Sequence, residues 1–504
     1  MSINSRLSSH ICKSQQWHRR STHTLHNLDR NPLTKYNTQV CEDGTLITRL
    51  PNGVRVATEP SSGHFYSLGI FAEAGSRYET ARTRGASHIL DRLAFKSTKT
   101  RTQAQMLEDL RCMATCTSSR EAIVYQCRIF KRDLRRMLGL LSEVVRYPRI
   151  SHEEVIEQRK TAAYELQALH AHPDAVLPDM VHAAAFRNNT LGNPLLCSPE
   201  KLAGMTRETL RHYRDTWFKP DRLVVAAVGP SHEDMVRFTE ECFGDMKVTA
   251  WPGDSPSAKS QPSANSNFPF LKMMTRAASS FLPSPPSTPR EMARQRAKYT
   301  GGRIFTATND PLTHIQLAFE GVSVRHEDIY TAAVLQVLLG GGGAFSSGGP
   351  GKGVHSRLYK RVLQRYGWVH TCHAFNYSYS DAGLFGIAAS TQPRNAAYLV
   401  DVIAHELNQL SQPGGLPPDE VERAKTRVAS GLAMGLECSS TGVEDLGRQV
   451  QILGRRVGVQ QMLEKIARVT SEDVMRLAGR LLNGPVTLVG MGAPEGIERL
   501  QLLT

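Results

Sequence analysis

No uncharged apolar run of 18 residues occurs in the 504-residue sequence, so no segment reads as a helix that crosses a membrane. Paired cysteines are missing too. The chain has nine cysteines but no C-x-x-C, and Cys112 and Cys116, four apart, have no second pair at zinc spacing. That usage fits a reducing compartment or simple core packing rather than a disulfide framework. Aromatic residues are scarce at 7%, and none interleaves the short basic clusters Lys131-Arg132 and Arg135-Arg136 in the manner of a nucleic-acid surface. The net charge of +14 therefore reads as a solvated basic face, with no nucleic-acid partner expected. A phosphate-cradling loop is absent as well. Reading back from Gly351-Lys352, the pattern G-x-x-x-x-G-K-[ST] fails at Ser346 and again at Gly353.

Acidic residues are missing from the first 28 positions, which are rich in Ser, Thr, His and Arg. Residues 1–40 carry Arg6, Lys13, Arg19, Arg20, Arg30 and Lys35 against Asp29 alone, a local charge of +5. A cationic, acid-poor leader fits a mitochondrial transit peptide, drawn inward by the membrane potential. The plainer alternative is a disordered basic arm. Composition changes again at 251–300, where eight prolines from Pro252 to Pro289 lie among Ser, Asn and Ala. Such a linker or surface insertion cannot build a core.

This break leaves two halves, 45–250 and 301–504, in a chain too long for one core. The halves repeat a pattern. Tyr66–Phe71 is followed by Ala74-Gly75-Ser76-Arg77 and a helix through Ala86–Phe95. His314–Phe319 is followed by Gly321-Val322-Ser323 and a helix through Ile329–Leu339. The ends match as well, Leu223–Gly229 and Val486–Gly492 each preceding a helix. Between them lie amphipathic segments such as Ser151–Leu169 and Pro418–Glu437. The expected fold class is α+β, with two similar sandwich domains built by internal duplication and facing one another across a cleft.

The stretch from Gly340 to Gly353 holds eight glycines in fourteen residues: Gly340, Gly341, Gly342, Gly343, Gly348, Gly349, Gly351 and Gly353, with Phe345 and Lys352 among them. It leaves one apolar helical segment and enters another at Val354–Val362. Glycine loses more backbone entropy on ordering than any other residue, and helix connections are usually two to eight residues long. A disordered linker would lean on Ser, Glu and Lys. A run this costly suggests a flap of unblocked backbone that covers an extended ligand, with Phe345 as an apolar contact.

The first-half helix carries His88, Asp91 and Arg92. In the zinc-peptidase pattern H-x-x-E-H, two imidazoles four apart share a helix face and bind the metal, while the glutamate activates water. Here Asp91 stands at the base position and is one methylene short. Arg92 stands at the second ligand position, and a guanidinium has no lone pair to give a metal. It could instead pair with Asp91 or with Glu165 on the later helix. His88 reads as a packed, hydrogen-bonded histidine and the constellation as a dead active site.

Several fragments together resemble the pitrilysin-like zinc peptidase family, and within it the α-subunits of mitochondrial processing peptidases. They are SHILDRLAFKST, Tyr299-Thr300-Gly301-Gly302, GGGGAFSSGGPGKGVHSRLY and AFNYSYSDAGLFGI. The likeness covers roughly residues 45–504. It implies a heterodimer with a catalytic β-subunit that carries the intact motif and the zinc, so that this chain holds no metal. It also implies a matrix location, presequences of imported precursors as substrates, and a glycine-rich loop that binds or moves them. The family's later glutamate falls on Glu165, and the one seven residues earlier is Gln158 here. Asp381, Glu320 and Glu327 lie near these motifs, but each reads more readily as a structural or solvated carboxylate. The alternative is a core subunit of respiratory complex III, associated with the inner membrane, which shares the fold.

Overall fold

Seven strands form the first sheet: β1 (Asn37–Val40), β2 (Leu46–Arg49), β3 (Arg55–Pro60), β4 (Phe65–Ala72), β5 (Met113–Ser118), β6 (Ile123–Phe130) and β7 (Leu223–Gly229). Six form the second: β8 (Gly302–Ala307), β9 (Thr313–Glu320), β10 (Gly341–Gly343), β11 (Val369–Ser378), β12 (Gly383–Thr391) and β13 (Thr487–Gly492). The computed structural model describes residues 36–110, 113–170, 172–187, 190–247, 288–343, 355–412 and 414–502. Nearly all of the expected transit peptide lies outside them, as do most of the 251–300 insertion and Phe345, Gly348, Gly349, Gly351, Lys352 and Gly353 of the loop.

The strand orders are β1-β2-β3-β7-β4-β6-β5 and β10-β11-β12-β9-β13-β8. Without the β1–β2 hairpin and β10, they coincide as β3-β7-β4-β6-β5 and β8-β13-β9-β12-β11. Each contains one matching parallel pair, β3 with β7 and β8 with β13. The duplication visible in the sequence is therefore a duplication of topology. β7 is buried from Leu223 to Val228 and β12 along its whole length, Ser390 and Thr391 included, because both of their faces are covered; one-sided strands would alternate instead.

Among the described residues, six helices of each half serve as landmarks. In the first they are α1 (Ala86–Arg92), α2 (Leu134–Arg146), α3 (His152–His170), α4 (Pro173–Ala185), α5 (Arg207–Trp217) and α6 (His232–Phe243). In the second they are α7 (Ile329–Leu339), α8 (Ala396–Ser411), α9 (Pro418–Leu436), α10 (Ser439–Leu453), α11 (Ser471–Leu482) and α12 (Pro494–Gln501). Several expected bounds shift by a residue or so, the segment expected at Val354–Val362 is found as a short π-helical turn at Tyr359–Leu363, and two differences matter here. The first-half helix stops at Arg92 rather than Phe95, whose φ of 59° leaves the helical region. The glycine run does not go straight from helix to loop, because β10 pairs antiparallel with Thr371–His373 of β11.

The expectation of two domains facing across a cleft needs correcting. Each half lends a helix to the other's sheet. Leu177, Val181 and Ala184 of α4 pack on Ala318, Val489 and Met491 of β9 and β13. Reciprocally, Val443, Leu446 and Val450 of α10 pack on Phe71, Val224 and Ala226 of β4 and β7. A strand that is apolar on both faces has to be covered twice, and the second cover comes from the opposite half. Two buried arginines add polar ties across the same boundary. Arg77 joins Glu121 and Asp381, and Arg456 joins Glu59 and Asp445. No helix among the described residues is long and apolar enough to cross a membrane.

Candidate functional site

α1 is only seven residues long and is preceded by Gly85 at its N-cap, which lies in the left-handed region at φ 87° and offers no side-chain cap. A Cβ at Gly85 would lie 2.3 Å from the Cys197 sulfur, so glycine is needed for space as well as for conformation. The cap is supplied from outside the helix. The Glu79 carboxylate accepts from the Gly85 N–H (2.7 Å), the Ser87 N–H (2.8 Å) and the Ser87 hydroxyl (2.6 Å). The two N–H groups are orphan donors of a helix N-terminus, where negative charge is also favoured by the helix dipole.

Burial pushes the Glu79 carboxyl up to about 7, against the pull of those three donors. A carboxyl raised on folding holds its proton more tightly in the folded state. Its contribution to stability therefore falls as pH rises from its ordinary range through about 7. Glu79→Gln is expected to flatten the stability profile between pH 5 and 8, read by urea denaturation across that range. An unchanged slope would mean that Glu79 ionises freely in the fold.

The face of α1 that turns toward α3 carries the degenerate constellation. Arg92 forms an ion pair with Glu165, and its Nε–H donates to His88 Nε2 at 3.0 Å. The Cys197 N–H also approaches His88 Nδ1, at 3.3 Å. A neutral imidazole has one acceptor nitrogen, so the shorter, charge-assisted bond from Arg92 is the one that holds. Burial, and then the adjacent Arg92 cation, push His88 down to about 4, which leaves it neutral near pH 7. His88 and Arg92 thus share a helix face, as their spacing of four implied, and of the two carboxylates open to Arg92 it pairs with Glu165. Gln158 is buried on the same helix as Glu165.

Asp91 takes another course. Its Oδ2 accepts the Ser118 N–H at 2.7 Å, which ties α1 to the end of β5. Burial raises its carboxyl, while the bonds from Ser118 and the Arg92 charge pull the other way. Zinc needs three or more lone pairs converging on one point. Here the second ligand place holds a guanidinium that donates to the first ligand's nitrogen, so the donor set does not fit the metal. Among the described residues, no group of three or more His, Cys, Asp or Glu could hold a metal ion.

At the root of the glycine run, Gly340 and Gly341 have φ of 55° and 98°. A Cβ at Gly341 would lie 2.0 Å from the Cys372 carbonyl oxygen, and the Gly341 N–H donates to Ser356 Oγ at 2.9 Å. Gly342 and Gly343 face open space. The first two glycines are therefore fixed by local packing, and a deletion that probes the loop has to begin after Gly343. Of the three carboxylates near the motifs, Asp381 is committed to Arg77, while Glu320 and Glu327 are exposed.

Arg77 and Glu79 carry no motif, and their roles escape the sequence reading. The clearest hint was their place in the short turn just before α1.

Two family models match the chain: Insulinase (Peptidase family M16) over residues 55–199 and Peptidase M16 inactive domain over residues 204–428. The mitochondrial-processing peptidase subunit alpha of Neurospora crassa is 42% identical, covering 93% of this chain and 88% of that protein. The chain belongs to peptidase family M16. The human mitochondrial-processing peptidase subunit alpha is 34% identical, covering 89% of this chain and 82% of its own length. A solved M16-like fold occurs in a structure described as Complex III2 from Candida albicans, Inz-5 bound. It has a TM-score of 0.69 at 21% identity and covers 90% of this chain and 96% of that one, a likeness of fold alone. The boundary between the two M16 models, near residue 200, does not follow the structural halves, because β7 at Leu223–Gly229 returns to the first sheet.

Proposed function

We propose that this chain is the non-catalytic, substrate-recognition subunit of a heterodimeric mitochondrial processing peptidase. A partner β-subunit would carry the intact H-x-x-E-H motif, the zinc and the catalysis, and would act on presequences of imported precursors in the matrix. The observation that carries this reading is Arg92, a cation at the second ligand place, paired with Glu165 and bonded to His88. The names of the relatives at 34–42% identity support it. In this reading the chain binds no metal of its own, and the glycine-rich stretch Gly340–Gly353, including Phe345 and Lys352, receives the presequence.

A second reading, a structural core subunit of respiratory complex III, draws on the fold neighbour from that complex. The test is a processing assay on the purified chain, alone and mixed with its β-subunit, with zinc measured by mass spectrometry. The expected result is a metal-free, inert chain and a mixture that cleaves a presequence substrate. Zinc binding and cleavage by the chain alone would overturn the account of Arg92. An inert mixture, with the chain recovered in complex III, would favour the second reading.

A further inference from the structure

A groove of about 580 Å³ opens in the second half, bounded by the loop before α7, the turn after α10, the end of the helix Val459–Ala467 and the first turn of α11. Five cations line it: Arg325, Arg455, Lys465, Arg468 and Arg476. Their partners divide them. Arg476 pairs with Asp328 at 2.8 Å and with Asp473 at 3.1 Å, and Arg480 reaches the same Asp328 at 3.3 Å, so both aspartates are already neutralised. Arg325 donates to the Ile452 carbonyl at 2.7 Å and keeps its charge unmatched. Lys465 stands 5.4 Å from the centre of the Tyr330 ring. Among the described residues, Arg325, Arg455, Lys465 and Arg468 form no ion pair, and Glu327 is the one lining carboxylate left to face them.

Like charges gathered in a concavity raise one another's energy, and a multivalent anion relieves this with several acceptors at once. Guanidinium forks match the oxygens of a phosphate, and an ammonium adds a point charge. The volume suits a small molecule rather than a folded segment. Ile329, Leu453, Val457 and Tyr330 supply an apolar wall for its organic part.

We propose that this groove binds a phosphate ester of small-molecule size, held by Arg455, Lys465 and Arg468. Its source is either a soluble phosphate compound or the headgroup of an anionic phospholipid. The site is separate from the α1 constellation and does not depend on the reading given for it.

The test is calorimetric titration of the full chain with inorganic pyrophosphate at 150 mM salt, alongside flotation with phosphatidylcholine vesicles with and without phosphatidylglycerol. Arg455→Gln/Arg468→Gln is expected to weaken binding at least tenfold. Arg237→Gln, an exposed first-half arginine paired with Asp234, is expected to leave it unchanged. Saturable pyrophosphate binding lost in the double variant supports the site and a soluble source. Flotation with phosphatidylglycerol vesicles alone, lost in the same variant, supports the site and a headgroup source. No binding of either probe, or equal binding by both variants, overturns the proposal. Lys465→Gln, a single substitution within the helix Val459–Ala467, gives the same reading if the double variant does not fold.

Discussion

Arg77→Met is expected to destabilise the folded chain by about 3–5 kcal/mol at neutral pH, the range for removing one partner of a buried ion pair. Arg77 is 6% exposed. It donates to Glu121 Oε1 and Asp381 Oδ1 at 2.7 Å each, to Ser380 Oγ at 3.2 Å and to the Gln295 carbonyl at 2.9 Å. Methionine fills a similar volume but leaves two carboxylates in a poorly solvated place with no cation between them. The effect should depend on pH in a defined direction. Burial alone would raise the Asp381 carboxyl, yet the bonds and charge of Arg77 hold it below its ordinary value. A depressed carboxyl contributes stability that is present above its unfolded value and lost as pH falls below about 4. The gap between wild type and variant should thus narrow at pH 3.5 relative to pH 7.5, measured by urea denaturation. A penalty under about 1 kcal/mol at pH 7.5 would place Arg77 among solvated surface pairs and remove it as a lock between the halves.

Arg77 also marks where sequence reading stops. Its partners Asp381 and Gln295 lie 304 and 218 residues away, and no local period or spacing records such a contact. What could be read was what local physics writes. Ile329–Leu339 is an uncharged, mostly apolar segment, interrupted by Thr331 and Gln336, and is found as α7 with those bounds. The segments near the start and the end of each half carry dense apolar runs, and they are found as the interior strands β4, β7, β9 and β13. The i, i+4 spacing of His88 and Arg92 put them on one helix face, and a cation there needed a carboxylate, which Glu165 provides. The helix exchange was not readable, because α4 and α10 look like ordinary amphipathic segments whose apolar faces name no recipient. β10 was hidden because three glycines have no strand propensity and pair only because β11 offers an edge. Asp91 was legible as a displaced carboxylate, but its bond to the Ser118 backbone was not.

Gly447→Ala sets two known effects against each other, and packing should decide the sign. In a helix interior, alanine for glycine ordinarily gains up to about 1 kcal/mol from propensity. In α10, however, a Cβ at Gly447 would lie 2.1, 2.2 and 2.5 Å from three carbons of the Phe71 ring. Phe71 is fully buried in the first sheet. Its ring also stands 2.6 Å from where a Cβ on Gly69 would be, so it is boxed in by two glycines and cannot simply swing away. Seating the methyl forces α10 off β4 and β7, and overpacking of this kind costs about 1–3 kcal/mol or more. The expected outcome is a net loss of stability, whereas Gly431→Ala in α9, where nothing lies within 4 Å, should be neutral or stabilising. Phe71→Leu should recover part of the Gly447→Ala loss in a double-mutant cycle while destabilising on its own. If Gly447→Ala and Gly431→Ala shift the urea midpoint alike, α10 is not seated tightly on the first sheet. The seat of α10 would then be a loose contact, and α4 with the Arg77 and Arg456 ties would be left to hold the halves together.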